Sequence, residues 1–120
     1  MSFAKEYAKS LAPGDVVCLE GQMGAGKTVF AKGVARGLGI SEEVTSPTYA
    51  YVNSYSNKLF HFDCYRVESE AFAEALGFSE YFEMGGICLV EWSDNIKGLL
   101  PSTIKRVKIT GSGSTREIEY

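Results

Sequence analysis

The chain has 120 residues, of which 45% are hydrophobic and 22% charged, and its formal net charge is −3. This length and composition are typical of one globular domain, so we expect a single domain over residues 1–120. No apolar run is long enough to cross a bilayer, and the amino-terminal segment lacks the apolar core of a signal peptide, so a cytoplasmic location without membrane binding is expected. The absence of a basic run argues against strong binding to nucleic acid and favours a protein partner.

The first half of the chain predicts a helix, a strand and a second helix before a hairpin. Helical spacing covers residues 3–11 and 26–38, and the short apolar run at residues 15–20 between them predicts a strand. A loop then leads into two alternating, aromatic-rich runs at residues 48–56 and 58–66. These runs meet near Ser56 and Asn57, which predicts a β-hairpin.

The second half predicts a broken helix, a buried strand and a closing hairpin. Residues 68–83 have a helical pattern that Gly77 interrupts, and "GICLVEW" is an apolar strand. "SDNIKGLLP" is irregular or a short helix, and two further strand-like runs flank "GSGS". The expected fold class is therefore α/β, a mixed sheet with a parallel centre, two hairpins and flanking helices.

Cysteine usage predicts reduced packing residues. The three cysteines, Cys18, Cys64 and Cys88, are an odd number in strand-like stretches, and none forms a C-x-x-C pair. A metal site or disulfides are therefore less favoured than reduced thiols in a core.

The stretch "GQMGAGKT" has the spacing of a P-loop, G-x-x-x-x-G-K-[ST]. It stands between the first predicted strand and the second predicted helix, which is the setting that a phosphate-binding loop requires and an ordinary glycine-rich turn does not. Lys27 is expected at the β- and γ-phosphates, and the Thr28 hydroxyl at Mg²⁺. The nucleotide-binding residues predicted here are Gly21, Gln22, Met23, Gly24, Ala25, Gly26, Lys27 and Thr28.

A P-loop needs a further acid for the metal and a group that orients the attacking water, and two acids are candidates. Glu91 ends the apolar strand "ICLVE", where a Mg²⁺-side acid sits; the alternative is an exposed acid at a strand end. Asp63 ends the strand "LFHFD"; its alternatives are a helix N-cap or an ion pair with Arg66. We predict catalytic roles for both acids and a metal-binding role for Glu91.

Alternation along the second hairpin strand places His61, Asp63 and Tyr65 on one face and the two neighbouring phenylalanines in the core. For His61, a hydrogen-bonded structural role and a catalytic role both stay open. Trp92 follows Glu91 at the carboxyl end of a strand, where ligands bind in open α/β sheets, although it could also be a core residue.

The hydroxyl-rich stretch "VTSPTY" lies between the P-loop helix and the next strand, where P-loop proteins keep a loop that senses the γ-phosphate. A plain turn is the alternative. The predicted switch loop comprises Thr45, Ser46, Pro47 and Thr48.

Taken in order, five stretches of this sequence resemble the TsaE (YjeE-type) P-loop ATPases, which take part in making N6-threonylcarbamoyladenosine in tRNA. They are "PGDVVCLEGQMGAGKTVFAKGVARGLG", "VTSPTY", "LFHFDCYR", "LGFSEYF" and "LVEW". The chain departs from the family at Gln22, Met23 and Val29, none of which removes a phosphate ligand. The stretch ahead of the first helix is shorter than is usual in the family, so no expectation is attached to that edge of the sheet.

The resemblance implies the cofactors ATP and Mg²⁺ and a weak ATPase. It places Glu91 on the Mg²⁺ side, Asp63 near the metal or the attacking water, and Trp92 beside the nucleotide. It also implies that the chain acts on the TsaD/TsaB transferase complex and does not transfer the threonylcarbamoyl group itself. Residues at the site or at a partner surface would be His61, Tyr65 and Arg66.

Two other classes share the P-loop. A small-molecule kinase usually carries an arginine-rich lid, whereas the arginines here are scattered. A GTPase-like switch carries the guanine signature N-K-x-D, whereas Asn57 and Lys58 are followed by Leu59 and Phe60. Both remain alternatives at the level of sequence.

Overall fold

The computed structural model describes residues 2–21, 24–44, 51–112 and 115–119, with side chains described for 5–21, 27–44 and 51–109. Two parts of the predicted site lie outside these residues. They are Gln22 and Met23 of the P-loop, and the predicted switch loop, residues 45–48.

Helices and strands follow one another largely as the sequence predicts. The helices are α1 (Ser2–Ala8), α2 (Gly24–Gly37), α3 (Glu70–Ala75), α4 (Phe78–Phe82) and a kinked 3₁₀ helix (Ser93–Leu99). The strands are β1 (Val16–Glu20), β2 (Val52–Tyr55), β3 (Leu59–Asp63), β4 (Ile87–Glu91), β5 (Lys105–Ser112) and β6 (Thr115–Glu119).

The described strands form one six-stranded sheet in the order β2-β3-β4-β1-β5-β6. Strands β3, β4, β1 and β5 are parallel to one another, whereas β2 and β6 pair antiparallel at the two edges. This arrangement confirms the predicted α/β fold with a parallel centre and two hairpins. In such a sheet the parallel strands end at one common edge, where ligands bind.

Two local signals explain where the chain turns and breaks. Ser56 and Asn57 both have positive φ, 55° and 54°, and the Lys58 N–H donates to the Tyr55 carbonyl at 3.0 Å. Positive φ at both central residues is typical of a type I′ turn, and this turn begins the three-residue connection between the paired Tyr55 and Leu59. Gly77, with φ of 83°, separates α3 from α4, so the predicted break in the helix is confirmed.

The sheet has an apolar core on each face. The core under α1 and α2 includes Leu59 from β3, whereas the core under α3 and α4 includes Phe60 and Phe62 from the same strand. Since side chains alternate along a strand, His61 belongs to the face of Leu59. The three cysteines are buried and free, as predicted. Within the described part of the chain, no helix is long and apolar enough to cross a membrane.

Candidate functional site

The register of the parallel strands brings the predicted acids to one edge of the sheet. Asp63, the last residue of β3, lies opposite Glu91, the last residue of β4, and Glu91 lies opposite Leu19 of β1. The chain continues from β1 through Gly21 into α2, so the first turn of this helix reaches the same edge. Positions as far apart in the sequence as Leu19 and Glu91 therefore meet where an α/β sheet binds ligands.

Lys27, in the first turn of α2, is a buried cation. Its exposed fraction is 3%, and among the described residues its amine has no hydrogen bond and no ion pair. The amine makes a cation–π contact with the ring of Trp92, whose centroid lies 4.8 Å from Nζ. A buried ammonium without an anion costs free energy, so this amine is placed for an anionic ligand.

A cavity of about 230 Å³ opens beside Lys27 at this edge. Gly21 sits at its base with φ of 134°, and a Cβ there would clash with the Ile109 carbonyl of β5. Only glycine therefore allows the turn after β1 to pass so close to β5. The lining residues are Leu19, Glu20, Gly21, Lys27, Trp92, Ser93 and Asp94.

Trp92 forms one wall of the cavity in a strained backbone conformation. Its φ and ψ are 59° and 43°, the left-handed region, which costs a residue with a bulky side chain about 1–2 kcal/mol. The ring is 44% exposed, and its centroid lies 4.9 Å from that of Tyr65. Trp92 is therefore not a core residue, and its ring stands between Lys27 and Tyr65.

Glu91 is buried against His61. The Glu91 Oε2 and His61 Nε2 atoms are 2.5 Å apart, and the residues are 6% and 0% exposed. The other ring nitrogen, Nδ1, is buried and has no hydrogen-bond partner in the part of the chain that the structure describes. Glu91 is thus not an exposed acid at a strand end, and His61 lies beneath the site and not on a partner surface, which corrects the surface part of its predicted placement.

Asp63 is half-buried, and its Oδ1 accepts a hydrogen bond of 3.0 Å from the Tyr65 N–H. It forms no ion pair with Arg66 within the described residues, and the N-cap of α3 is Ser69. Neither structural alternative considered for Asp63 is therefore present. Its carboxylate lies at the sheet edge with one backbone partner.

The remaining predicted residues lie at different distances from the cavity. Thr28 follows Lys27 in α2 and is half-buried. Tyr65 is 62% exposed and reaches the cavity wall through Trp92. Arg66 is exposed and does not line the cavity.

Sequence reasoning missed four residues that line the cavity: the apolar Leu19 and the polar Glu20, Ser93 and Asp94. Each of the three polar residues either ends β1 or follows β4, so a strand-end position beside the P-loop was the signal that could have identified them. Glu20 is paired with Arg106 at 2.9 Å, and this hydrogen bond raises the pKa of the Arg106 guanidinium. Beneath the cavity, burial raises the pKa of the Cys18 thiol, and a hydrogen bond with Ser93 acts in the opposite direction.

Two hydrogen bonds connect the ends of β3 and β4 beyond the sheet itself. The Cys64 N–H donates to the Glu91 carbonyl at 3.0 Å, and the Asn95 side-chain amide donates to the Cys64 carbonyl at 2.7 Å. The turn that carries Trp92 is therefore tied on both sides to the segment that follows Asp63.

The chemistry of these residues fits a phosphate-bearing ligand. Beside the cavity, Lys27 supplies a buried amine without an anionic partner among the described residues, and helix α2 begins at the same place. No group of three or more His, Cys, Asp or Glu side chains is arranged to hold a metal ion among the residues that the structure describes. A divalent cation at this edge would therefore need ligands from phosphate and water as well as from Glu91 and Thr28, as is usual for Mg²⁺.

Comparisons with known proteins identify the family of the chain. The family model of the threonylcarbamoyl adenosine biosynthesis protein TsaE matches residues 1–118. A Bacillus subtilis protein named tRNA threonylcarbamoyladenosine biosynthesis protein TsaE is 45% identical, over 99% of this chain and 77% of its own length. A protein of the same name from Haemophilus influenzae is 35% identical, over 99% of this chain and 80% of its own length.

The fold also matches a solved structure. The crystal structure of Bacillus subtilis YdiB superposes with a TM-score of 0.76 and 41% sequence identity, covering 96% of this chain and 72% of that chain. The family match over nearly the whole chain and the relatives' identities are consistent with one another. The chain belongs to the TsaE family of tRNA threonylcarbamoyladenosine biosynthesis proteins.

Proposed function

We propose that this chain binds ATP and Mg²⁺ in the cavity at the carboxyl edge of the sheet and hydrolyses the ATP. In this role it supports a TsaD/TsaB-like transferase complex that makes threonylcarbamoyladenosine in tRNA. The observation that carries the proposal is Lys27, whose amine is buried beside the cavity without an anionic partner among the described residues.

Lys27 would bind the β- and γ-phosphates. A free ammonium that is 3% exposed has lost most of its hydration, and a phosphate oxygen would restore the interactions that it lacks. Backbone N–H groups at the start of α2 would contribute further donors to the same anion. The glycine-rich spacing ahead of the helix is the sequence counterpart of this arrangement.

The acids would divide the remaining work. Thr28 and Glu91 would hold Mg²⁺, which when bound neutralises charge on the phosphates. Asp63, opposite Glu91 in the sheet, would orient or deprotonate the attacking water. Its carboxylate has a backbone donor that fixes its direction, and no cation from a neighbouring side chain neutralises it within the described residues.

The surface around the cavity supports a protein partner. Tyr65 and Trp92 are 62% and 44% exposed and pack on one another at the mouth of the cavity. Exposed aromatic rings are enriched at protein interfaces. The net charge of −3 also favours a protein over bare tRNA as the main contact. A switch role for residues 45–48 stays a prediction from the sequence.

Phosphate release from ATP and from GTP, each measured with and without recombinant TsaD and TsaB, tests the proposal. We expect slow, Mg²⁺-dependent release from ATP, little from GTP, and a change in the rate when the transferase subunits are added. Release that requires a small-molecule acceptor would favour a kinase. A preference for GTP would favour a GTPase-like switch.

Glu91→Ala separates the roles of metal and phosphate within the same assay. The variant should bind ATP normally in EDTA and lose Mg²⁺-dependent hydrolysis. Normal hydrolysis by this variant would contradict the metal-side role of Glu91.

A further inference from the structure

The buried pair of His61 and Glu91 is not explained by phosphate binding alone. His61 is completely buried in β3, and its Nε2 lies 2.5 Å from Glu91 Oε2. We propose that His61 is a positioning residue that fixes the Glu91 carboxylate in the direction required at the cavity. This inference rests on the proposed nucleotide site, because Glu91 is the acid assigned there to Mg²⁺.

The strand register places two polar residues of β3, Asp63 and His61, close to Glu91. In the pairing of β3 with β4, Asp63 lies opposite Glu91 and His61 lies opposite Leu89. Residues two apart on a strand share a face, so Glu91 has Asp63 beside it and His61 diagonally behind it. The Glu91 carboxylate turns back to His61, whereas the Asp63 carboxylate accepts the Tyr65 N–H. The two acids therefore have separate partners although their strands are adjacent.

The hydrogen bonding of the ring indicates one function for it. The bond joins Nε2 of the ring to one oxygen of Glu91. Buried polar atoms usually have partners, and Nδ1, which is also buried, has none among the described residues. Within that part of the chain, the polar contact of the buried ring is therefore the one with Glu91.

This contact restrains an otherwise flexible acid. Within the described residues, the bond to His61 is the one hydrogen bond that the Glu91 carboxylate makes. It fixes one oxygen, whereas the second has no partner among the residues that the structure describes. A supporting hydrogen bond of this kind sets the direction and basicity of a metal-side ligand, so its loss should weaken binding that depends on the metal.

Nitrogen-15 NMR of the imidazole tests the pair without any nucleotide. The chain has a single histidine, so ring labelling reports on His61 alone. We expect the Nε2 signal of the wild type to show a hydrogen bond, and we expect a changed Nε2 signal in Glu91→Ala. An Nε2 signal without a hydrogen bond, or a signal that is the same in both proteins, would overturn the inference.

Affinity for a non-hydrolysable ATP analogue, measured in Mg²⁺ and in EDTA, tests the positioning role. His61→Leu should weaken binding about tenfold in Mg²⁺, the scale of one hydrogen bond to a charged group, and leave binding in EDTA unchanged. His61→Gln, whose amide N–H has a similar reach, should recover most of the loss. Leu59→Val, a matched change at a buried position on the same face of β3, should bind like the wild type.

The outcomes separate this inference from the proposed function. Equal losses in Mg²⁺ and in EDTA, or the same loss in Leu59→Val, would overturn the positioning role and show a general structural effect. A further loss from His61→Leu in a Glu91→Ala background would also overturn it, because the bond is already absent there. A wild-type protein that binds no analogue would overturn the proposed function, whereas normal binding by both wild type and His61→Leu would overturn only the positioning role.

Discussion

Two regions built from the same strands differ in their buried polar groups. The carboxyl edge of the parallel strands contains such groups, whereas the face under α3 and α4 is apolar. Among the described residues, the buried polar or charged side chains are Lys27, His61, Glu91 and Ser93, and all lie at or beside the edge. The core under α3 and α4 is apolar and rich in aromatic contacts, with Phe62 and Phe78 ring centroids 5.2 Å apart. The second region stabilises the fold, whereas the first carries polar groups whose burial costs free energy and, in the proposed function, serves ligand binding.

The largest expected effect lies on the aromatic face. Phe62→Ala should lower the free energy of unfolding by about 3–5 kcal/mol, since it leaves a cavity among Phe78, Tyr81 and Phe82. Urea unfolding measures the change. Phe72→Ala, at a ring that is 38% exposed, is the control and should cost much less. Equal losses in the two variants would contradict the division between the regions.

A smaller effect, on rate and not on stability, is expected at the edge. Asp63→Ala should slow ATP hydrolysis about a hundredfold, the usual scale for an acid–base group, and leave nucleotide affinity nearly unchanged. Single-turnover phosphate release measures the rate. Asp63→Asn keeps an oxygen that can accept the Tyr65 N–H but loses the charge, and it should be as slow as the alanine variant. A full rate in Asp63→Asn would show that the carboxylate only shapes the turn.

The smallest effect concerns alkaline pH. Burial raises the pKa of the Cys88 thiol to about 12 from an ordinary 9.0, so above pH 9 the unfolded chain releases a proton that the folded protein keeps. The free energy of unfolding therefore falls as the pH rises from about 9 towards 12. Between about pH 8 and pH 10 this one thiol should contribute a loss of about 1 kcal/mol.

Cys88→Ala isolates that contribution. The variant should be less stable than the wild type at neutral pH, because it leaves a small cavity, but its stability should decline less steeply above pH 9. Unfolding curves at several pH values give the two slopes. Parallel slopes for variant and wild type would show that the Cys88 thiol titrates normally.

Local sequence signals predicted most of the fold. The hairpin near Ser56 and Asn57, the break at Gly77 and the P-loop position between β1 and α2 all depend on a few adjacent residues. The alternating pattern of β3 also predicted that Phe60 and Phe62 lie on the face opposite His61. Side chains alternate between the two faces of any strand, whatever its position in the sheet. These features could be predicted because they depend on residues that are close together in the sequence.

Contacts within the site depend on distant residues and could not be predicted in the same way. The hydrogen bond between His61 and Glu91 forms only because β3 and β4 pair in one particular register. In the sequence these two strands are separated by the segment that contains α3 and α4. The left-handed backbone of Trp92 and its contact with Lys27 require the turn after β4 to meet the start of α2. The sequence identifies these residue types and strand ends, but only the assembled sheet shows which side chains touch.

The central claim is that the buried amine of Lys27 binds the phosphates of ATP. Calorimetric titration of ATP into wild type, Lys27→Ala and Lys32→Ala tests it most directly, because Lys32 is an exposed lysine of the same helix and controls for the loss of one charge. We expect affinity to fall about a hundredfold or more in Lys27→Ala, without unfolding, and to be unchanged in Lys32→Ala. A Lys27→Ala affinity within about tenfold of wild type, roughly 1.4 kcal/mol, would contradict the account.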